Sequence, residues 1–425
     1  MAKEIVFIYG KTPLNGLGGG PAYIRAHARA ATRLGFEPHI FYAAPIACVV
    51  ETDYGFIYQT RSWLYNSFLQ HGGIEINKCL MRWLAPRVAT EVERFCVARP
   101  GPHLIHSFSA YGYAALLASE RLKRRGVDVT VINSVFTTSG HESRAKAQGA
   151  RNSSNHLKWA VSKLEYAVIK RWITRYEGRA FAESRLVTFN YDSVRRLFLN
   201  DYGPGAETRK LPYASESAFL HKDHEAPPPE PEAIAALEPR DAPLIVSVSR
   251  HDPRKGVDTL LRALADLSAK GFRFRACLTS GGMMLADNRR LAVRLGIADR
   301  IAITGWVSDP YAYLRHADIF ALPSLQEASG SLSLLEALQA GAAIVASNID
   351  GIPEDVVDGE SALLVEPGNV DQLSRALARA LTDAELRGRL QRRAQELFVE
   401  RFSVATFTSA LGDLYAELGF ESGNR

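Results

Sequence analysis

The sequence predicts an α/β fold of two doubly wound domains, each a parallel sheet with helices on both faces. Short apolar runs alternate with helical stretches from the first run, EIVFIY at 4–9, which is typical of a strand buried on both faces. Six prolines at 221–243 interrupt the alternation, which restarts with PLIVSVSR at 243–250. Repeated alternation favours one parallel sheet in each part, with a linker at 221–243.

Apolar runs and glycines bound the elements of the N-terminal part. A helix from Tyr23 to Leu34 follows the first strand and ends before Gly35. The later apolar runs predict strands at 37–42, 103–107, 127–133 and 184–190.

The C-terminal part repeats the pattern. Its predicted strands lie at 243–250, 272–280, 301–305, 318–324 and 342–347. Its predicted helices lie at 258–270, 287–295, 310–316, 331–340, 371–381, 384–399 and 403–418. The predicted domains are 1–225 and 240–402, and a helix and tail at 403–425 can cross back to the first domain. Open parallel sheets bind ligands beyond the carboxyl ends of their strands, so we expect the site in a cleft between two facing sheets.

Composition excludes several classes of protein. Hydrophobic residues make up 47% and charged residues 23% of the 425 residues, as in a soluble globular protein. The four cysteines show neither metal-ligand nor redox spacing, which predicts no disulfide framework and no metal site. No apolar run approaches the ~20 residues of a membrane span, and the first run is too short for a signal peptide, so we expect a cytoplasmic protein. The net charge of +5 is small, which argues against a nucleic-acid partner.

Two segments leave an interpretation open. Residues 157–179 predict a long helix with an apolar stripe of Leu157, Val161, Leu164 and Val168, flanked by basic residues. It is either a peripheral contact with the inner membrane face or a core-packed helix with a solvated basic side. The aromatic segment 54–83 either lines an acceptor groove or belongs to the core.

The segment PSLQEASGSLSLLEALQAG at 323–341 carries the strongest chemical signal. Its helix is apolar nearly all round, so it should be buried, and Glu336 in its middle would form a structural salt bridge or accept hydroxyl hydrogen bonds. The amides at Gly330–Ser333 predict an anion site, unless Ser331 or Ser333 serves only as a helix cap. Glu327 lies in the loop just before it.

The segment SRHDPRKG at 249–256 places two cations after a predicted strand. Arg250 ends that strand and Lys255 follows in the loop. Fixed cations at a cleft edge suit a diphosphate, although both could equally be solvated loop charges.

A glycine-rich turn, GLGGGP at 16–21, follows the first strand. It nearly matches the dinucleotide fingerprint, but Pro21 stands in place of the third glycine and no acidic residue ends the second predicted strand. A nicotinamide or flavin enzyme is therefore not favoured, whereas a turn that a ligand approaches closely is.

These segments together resemble the retaining GT-B glycosyltransferases of the GT4 type. The resemblance includes PSLQEASGSLSLLEALQAG, SVSRHDPRKGVDTLLRAL, GWVSD, HADIFALPS and GIPEDVVDGESALLVEPGN in order, and more loosely GGGPAYIRAHARAATRLGFEPHIF. It implies two Rossmann-like domains facing a central cleft, with the acceptor on the N-terminal domain and a nucleotide-sugar donor on the C-terminal one.

The resemblance also implies a role for each matching residue. Arg250 and Lys255 would hold the donor diphosphate, Glu336 the ribose, and Glu327 would face the transferred sugar. The segment Gly330, Ser331, Leu332 and Ser333 would contact phosphates and sugar, Gly19 and Gly20 would close over the phosphates, and Val307 would lie near the base. Such enzymes need no metal, and the expected co-substrate is a UDP- or GDP-sugar.

Two departures from the family pattern affect the candidate catalytic residues. Eight residues separate Glu327 from Glu336 where the family usually has seven, so that the expected first position falls on Ala328. The family often has a histidine near the position of Ser134. Here His106 or His141 could substitute for it, or either could be structural.

The sequence thus predicts a metal-independent retaining transferase that moves a hexosyl-type sugar to a hydroxyl of a glycan, lipid or small molecule. The implied mechanism rests on positioning and charge stabilisation, with the leaving diphosphate helping to deprotonate the acceptor. The alternatives are a sugar phosphorylase or synthase of the same fold and a degenerate nucleotide-sugar binding protein.

Overall fold

The computed structural model describes residues 3–10, 13–14, 19–62, 80–144, 156–221, 228–327 and 329–421, with the backbone alone at 156–159. The chain divides into two compact units. One unit comprises Met1–Phe219 together with Val404–Arg425, and the other comprises Leu220–Ser403. Of the predicted linker 221–243, residues 222–227 lie outside the described part, and 228–243 belong to the second unit, where Ile234 is fully buried.

The first unit is built on a sheet of eight described strands. They are β1 (Lys3–Ile8), β2 (Phe36–Ala44), β3 (Cys48–Thr52), β4 (Gly55–Arg61), β5 (His103–Phe108), β6 (Val129–Val135), β7 (Leu186–Phe189) and β8 (Thr208–Lys210), in the order β3-β4-β2-β1-β5-β6-β7-β8. All neighbours are parallel except β3 and β4, which form an antiparallel pair at the edge. The apolar run of β1 lies in the centre of the sheet, which explains why it is buried on both faces.

Helices cover this sheet. They are α1 (Gly19–Arg33), α2 (Met81–Val97), α3 (Gly112–Arg124), α4 (His156–Val168), α5 (Thr174–Ala182), α6 (Asp192–Tyr202) and the short α7 (Glu216–Leu220). Helix α1 begins four residues earlier than predicted because Pro21 falls within the first turn, where a helix tolerates a missing N–H.

The β3–β4 pair was absent from the sequence prediction. Residues in β3 alternate between half-buried and exposed, as expected of an edge strand, and its apolar signal is weak. Of the aromatic segment 54–83, Tyr58 stacks on Phe41 with ring centroids 4.4 Å apart, and Tyr54 is buried, so these rings pack in the unit's own interior. Trp63, Tyr65 and Phe68 lie outside the described residues.

Helices α4 and α5 run on through a wider, π-type turn at Ile169–Ile173. The predicted apolar stripe is not the buried side, since Leu164 is 67% exposed and Val161 and Val168 are only half-buried. Among the side chains described at 160–182, the buried ones are Glu165, Ile169, Ile173, Glu177, Ala180 and Phe181.

The second unit holds a fully parallel sheet of six described strands. They are β9 (Leu244–Val248), β10 (Arg275–Thr279), β11 (Ile301–Gly305), β12 (Ile319–Leu322), β13 (Ala343–Ser347) and β14 (Ala362–Val365), in the order β11-β10-β9-β12-β13-β14. This is the strand order of a doubly wound nucleotide-binding sheet, and the direction of winding reverses between β9 and β12. Ligands bind such sheets beyond the carboxyl ends of the strands that flank this switch point.

The helices of the second unit lie on both sides of its sheet. They are α8 (Glu232–Ala235), α9 (Val257–Ala269), α10 (Leu285–Arg294), α11 (Pro310–Leu314), α12 (Leu332–Ala340), α13 (Ile352–Asp355), α14 (Val370–Thr382) and α15 (Ala384–Leu397). Leu260, Leu264 and Leu377 are fully buried against the central strands.

The last helix, α16 (Val404–Glu417), packs on α1 of the first unit. Its Tyr415 and Phe407 are fully buried, and a Cβ at Gly412 would approach within 2.9 Å of Leu34, so the helix lies close against its neighbours. Among the helices of the described ranges, none is long and apolar enough to cross a membrane.

Candidate functional site

The two loops that leave the switch point are joined to each other. The loop after β9 ends at Gly256, whose φ is +61°, and a Cβ there would lie 2.1 Å from the carbonyl oxygen of Pro323 in the loop after β12. The amides of Leu325 and Gln326 both donate to the carbonyl of Arg254, at 2.8 and 3.1 Å. The backbone therefore fixes the two loops against each other before any side chain contributes.

A buried ion pair bridges the same loops. The Lys255 ammonium lies 2.6 and 2.5 Å from the two carboxylate oxygens of Glu327. The hydroxyl of Ser324 donates to one of these oxygens at 2.5 Å. The side chains of Lys255 and Glu327 are 13% and 4% exposed. Burial lowers the pKa of Lys255, and the charge of Glu327 opposes that shift.

Helix α12 starts immediately beyond this pair. Ser331 is the N-cap residue, but its hydroxyl bonds that of Ser333 at 2.9 Å and makes no capping hydrogen bond. The first helical hydrogen bond runs from the amide of Leu334 to the carbonyl of Ser331, so the amides of Leu332 and Ser333 precede it and point along the helix axis. Gly330 is buried beside them. This arrangement is suited to an anion.

Glu336 lies one turn into α12 and is half-buried, not buried as the sequence predicted. Leu334, Leu335, Ala337 and Leu338 take the buried side of the helix. Leu332, Glu336 and Ala340, spaced by four residues, form a half-exposed stripe, so Glu336 shares a face with the first turn of the helix.

The turn after β13 also holds the Glu327 loop, a feature the sequence prediction missed. The Glu327 amide donates to a carboxylate oxygen of Asp350 at 2.7 Å, and the Gly351 amide donates to the carbonyl of Ser329 at 3.2 Å. Asp350 has a φ of +52°, which is uncommon for a residue other than glycine. Its sequence signal was the Asp-Gly pair, which marks a turn without indicating what the side chain contacts. Ala328 lies outside the described residues.

The remaining donor-side residues lie at the carboxyl ends of β9 and β11. Arg250 is 43% exposed and pairs with Asp252 at 3.2 Å. Val307 is half-buried and follows Trp306, which is 52% exposed. A Cβ at Gly281, in the loop after β10, would lie 2.1 Å from the Trp306 indole nitrogen, so the loops after β10 and β11 touch.

His251 connects the loops after β9 and β10 and was not a predicted site residue. Its amide donates to the Gly281 carbonyl at 2.8 Å, and its carbonyl accepts from the Met284 amide at 2.7 Å. Its ring is fully buried, with Nδ1 3.0 Å from the side-chain amide of Asn288. Burial lowers the pKa of His251 to about 4, so the ring is neutral at pH 7.

The candidate histidines and glycines of the first unit have different surroundings. His106 is fully buried in the core, where its Nδ1 lies 2.8 Å from the Tyr415 hydroxyl and its Nε2 lies 2.7 Å from the Ser134 hydroxyl. Both ring nitrogens are thus taken by the protein, which supports the structural interpretation of His106 and not a catalytic one. His141 is half-buried in a helical segment at 139–144, and its amide donates to the Thr138 hydroxyl at 3.2 Å.

Gly19 and Gly20 form the first turn of α1, not a loop as predicted. A Cβ at Gly20 would lie 2.0 Å from the Tyr9 hydroxyl, so the close approach at this glycine is to a side chain of the same unit. Gly16 and Gly18 lie outside the described residues.

Glu4, Glu37 and His39 come together at the amino ends of β1 and β2, with metal-ligand spacing that the sequence did not reveal. His39 Nε2 lies 3.0 Å from Glu37, and Arg99 donates to Glu4 at 2.7 Å. The Arg99 guanidinium already pairs with Glu4, and burial lowers the pKa of His39 to about 4, so its ring lies beside these carboxylates as a neutral group.

The architecture places the chain in a class of folds. A sucrose-phosphate synthase from Thermosynechococcus elongatus superposes with a TM-score of 0.75 at 20% identity, covering 98% of this chain and 99% of that one. The Anabaena protein HepE, solved in complex with UDP and glucose, gives 0.65 at 16% identity, covering 97% and 99%. At these identities the likeness establishes the fold, which is GT-B, as the resemblance predicted.

Sequence relatives define the family. The family model for glycosyl transferases group 1 matches residues 230–397, which contain Arg250, Lys255, Glu327 and Glu336. The lipopolysaccharide core biosynthesis glycosyltransferase LpsD of Rhizobium meliloti (strain 1021) is 30% identical over 276 residues, 61% of this chain and 79% of that protein. The chain belongs to the glycosyl transferases group 1 family.

Other relatives match over a shorter part. The GDP-mannose-dependent alpha-(1-6)-phosphatidylinositol monomannoside mannosyltransferase of Mycobacterium tuberculosis (strain ATCC 25618 / H37Rv) is 32% identical over 212 residues, 47% of this chain and 53% of the mannosyltransferase. The chain thus matches about half the length of this relative.

Proposed function

We propose that the protein is a retaining glycosyltransferase that moves a hexosyl-type sugar from a nucleoside-diphosphate sugar to an acceptor hydroxyl. The observation that carries the proposal is the Lys255–Glu327 pair at the switch point of the second sheet, placed directly before the N-terminus of α12. A buried cation, a helix N-terminus and a carboxylate one turn further along it form a set suited to a diphosphate joined to a ribose.

The chain's own residues supply the charge that the leaving diphosphate requires. An ammonium has three N–H donors, so Lys255 can serve a phosphate oxygen beside the Glu327 carboxylate. Arg250 adds a second cation, and the amides of Leu332 and Ser333 add backbone donors. With these groups in place, transfer without a metal ion is the form of the reaction we propose.

The half-exposed position of Glu336 supports a role toward the ribose. A carboxylate accepts hydrogen bonds from a vicinal diol, and Glu336 lies on the same face of α12 as the first-turn residue Leu332. Glu327 would face the transferred sugar from the loop beside it. Retention follows if the leaving diphosphate takes the acceptor proton on the face from which it departs, so no covalent nucleophile is assigned.

The relatives suggest the classes of donor and acceptor. One is named as GDP-mannose-dependent and acts on a phosphatidylinositol monomannoside, another acts in lipopolysaccharide core biosynthesis, and HepE was solved with UDP and glucose. We therefore propose a UDP- or GDP-sugar donor and a glycan- or lipid-linked acceptor, with small molecules as the remaining class.

The first test is thermal denaturation of the protein with UDP-, GDP-, ADP- and dTDP-sugars in the presence of EDTA. A donor that binds only the folded state raises the midpoint by mass action, so one nucleotide class should give a clear shift. Release of the nucleoside diphosphate during turnover then separates a transferase from a phosphorylase. Binding without release would favour a degenerate binding protein, and no shift with any donor would overturn the proposal.

A peripheral membrane contact through α4 and α5 is a second proposal, supported by a separate observation. Leu164 and Trp172 are 67% and 48% exposed, and Lys163, Lys170 and Arg171 are exposed beside them. Apolar side chains among exposed cations suit an anionic bilayer surface. After centrifugation with phosphatidylglycerol vesicles at low salt, the wild type should be found in the pellet. The double variant Leu164→Ser with Trp172→Ser should stay in the supernatant. The variant Val293→Ser, which alters a 68%-exposed residue of the second unit, should pellet as the wild type does.

A further inference from the structure

We propose that Asp350 is a positioning residue that sets the place of Glu327 in the donor site. The inference rests on the proposed function, and it extends that function to a residue of the turn after β13. Asp350 acts through the backbone of Glu327 and not by contact with a reacting atom.

Contacts from two neighbouring segments hold the Glu327 loop. Its beginning is held by the carbonyl of Arg254, which accepts from Leu325 and Gln326. Its next section is held by the turn after β13, through the bond from the Glu327 amide to Asp350 and the bond from the Gly351 amide to Ser329. Asp350 thus provides the side-chain contact to the backbone of the residue whose carboxylate meets Lys255.

The backbone of Asp350 itself lies in the left-handed region. At a φ of +52° a glycine would be unstrained, whereas an aspartate is tolerated only because its short polar side chain can bond nearby groups. The hydrogen bond that the Asp350 carboxylate accepts from the Glu327 amide at 2.7 Å contributes to offsetting this local strain.

The loop that carries Glu327 precedes helix α12. Eight residues separate Glu327 from Glu336, and Glu327 lies outside the helix that carries Glu336, so the position of that helix alone does not determine where the Glu327 carboxylate lies. A fixed acceptor for the Glu327 amide determines that position, because it holds the residue on the β13 side while Lys255 holds its carboxylate on the β9 side.

The test compares two substitutions. Asp350→Gly removes the acceptor of the Glu327 amide but suits the positive φ, and because these two effects oppose each other the thermal midpoint should change little. Asp350→Asn keeps an acceptor oxygen and also tolerates the positive φ. The assay uses the donor that gives the largest shift in thermal midpoint. Asp350→Gly should lower kcat about 10-fold and change KM for this donor less than about 2-fold. Asp350→Asn should keep at least about half of the wild-type kcat.

Two further measurements separate positioning from general damage. In a Glu327→Gln background, Asp350→Gly should cause little additional loss of kcat, because the carboxylate it positions is gone. Hydrogen exchange of the ligand-free full chain should be faster over 325–330 in Asp350→Gly but not in Asp350→Asn.

The outcomes are distinct. Wild-type kcat in Asp350→Gly, or unchanged exchange at 325–330, would overturn the positioning role. A wild-type protein without turnover would overturn the proposed function, and the exchange measurement would still decide whether Asp350 holds the loop.

Discussion

The ammonium of Lys255 and the carboxylate of Glu327 satisfy each other at 2.6 and 2.5 Å across the two loops that leave the switch point of the second sheet. Each is almost wholly removed from solvent. A pair of this kind contributes little net stability, but a single unpaired member of it is costly, because a buried charge then has no partner. The charges that the site presents therefore depend on the two loops holding these side chains in contact.

Removing one member of the pair should destabilise the protein more than removing both. Lys255→Met leaves Glu327 buried and unpaired, for which we expect a loss of about 3–5 kcal/mol in the free energy of unfolding. The double variant Lys255→Met with Glu327→Gln should regain most of that loss. Urea denaturation of the two variants measures the difference.

The same two variants separate stability from function. Neither should release nucleoside diphosphate at a measurable rate, because the cation that faces the leaving group is absent from both. If the double variant turned over donor at a rate comparable to that of the wild type, Lys255 would have no role in charge stabilisation.

Replacement of Glu336 should weaken donor binding with little effect on folding. The side chain is half-buried, and a hydrogen bond between a charged group and a hydroxyl contributes about 1.5–3 kcal/mol, so Glu336→Ala should raise the donor Kd by about 10- to 100-fold. Isothermal titration with the nucleoside diphosphate measures the affinity. Glu385→Gln, which changes an 85%-exposed carboxylate on α15, should bind as the wild type does.

Gly256 should tolerate substitution less than a glycine of similar conformation elsewhere. At Gly271, φ is +81° and a Cβ would meet nothing within 4 Å, so Gly271→Ala should lose only about 1 kcal/mol from the left-handed backbone. At Gly256 the added Cβ would also meet the carbonyl of Pro323 at 2.1 Å, and that contact separates the loops that carry Lys255 and Glu327. Gly256→Ala should therefore lose at least twice as much stability and also bind donor more weakly. Equal midpoints for the two variants would show that the loops adapt.

The sequence predicted the sheets better than the contacts of single side chains. Every strand of the second unit up to β13 was predicted, and the signal was clearest for β9, β12 and β13, whose residues are almost all buried and form nearly unbroken apolar runs. The β3–β4 edge pair was missed because half-exposed strands lack that signal. Lys255 and Glu327 were both selected, but their direct pairing depends on how two loops 72 positions apart meet.

Long-range partners also explain the histidines. His106 lies near the end of a predicted strand, yet its environment is set by Tyr415, 309 positions away on a helix that belongs to the first unit. Asp350 was not predicted as a site residue because its sequence context indicates only a turn. Its role depends on a positive φ and an acceptor distance that a turn signal does not encode.

The buried neutral histidine His251 predicts how the protein responds to acid. Its pKa is about 4 in the folded state and 6.5 in the unfolded chain, so between these values the unfolded state binds more protons and stability falls as the pH is lowered through 6.5. Relative to pH 8, this one group should lower the free energy of unfolding by about 2 kcal/mol at pH 5.

His251→Gln should abolish that contribution, whatever its effect on stability at pH 8. The measurement is the change in unfolding free energy between pH 8 and pH 5, compared in wild type and variant. Because His27 and His39, whose pKa values are also lowered to about 4, remain in both proteins, the difference isolates His251. An equal change in the two proteins would mean that His251 is not held neutral between the loops after β9 and β10. A smaller change in the variant would mean that mild acid weakens the connection between these two loops.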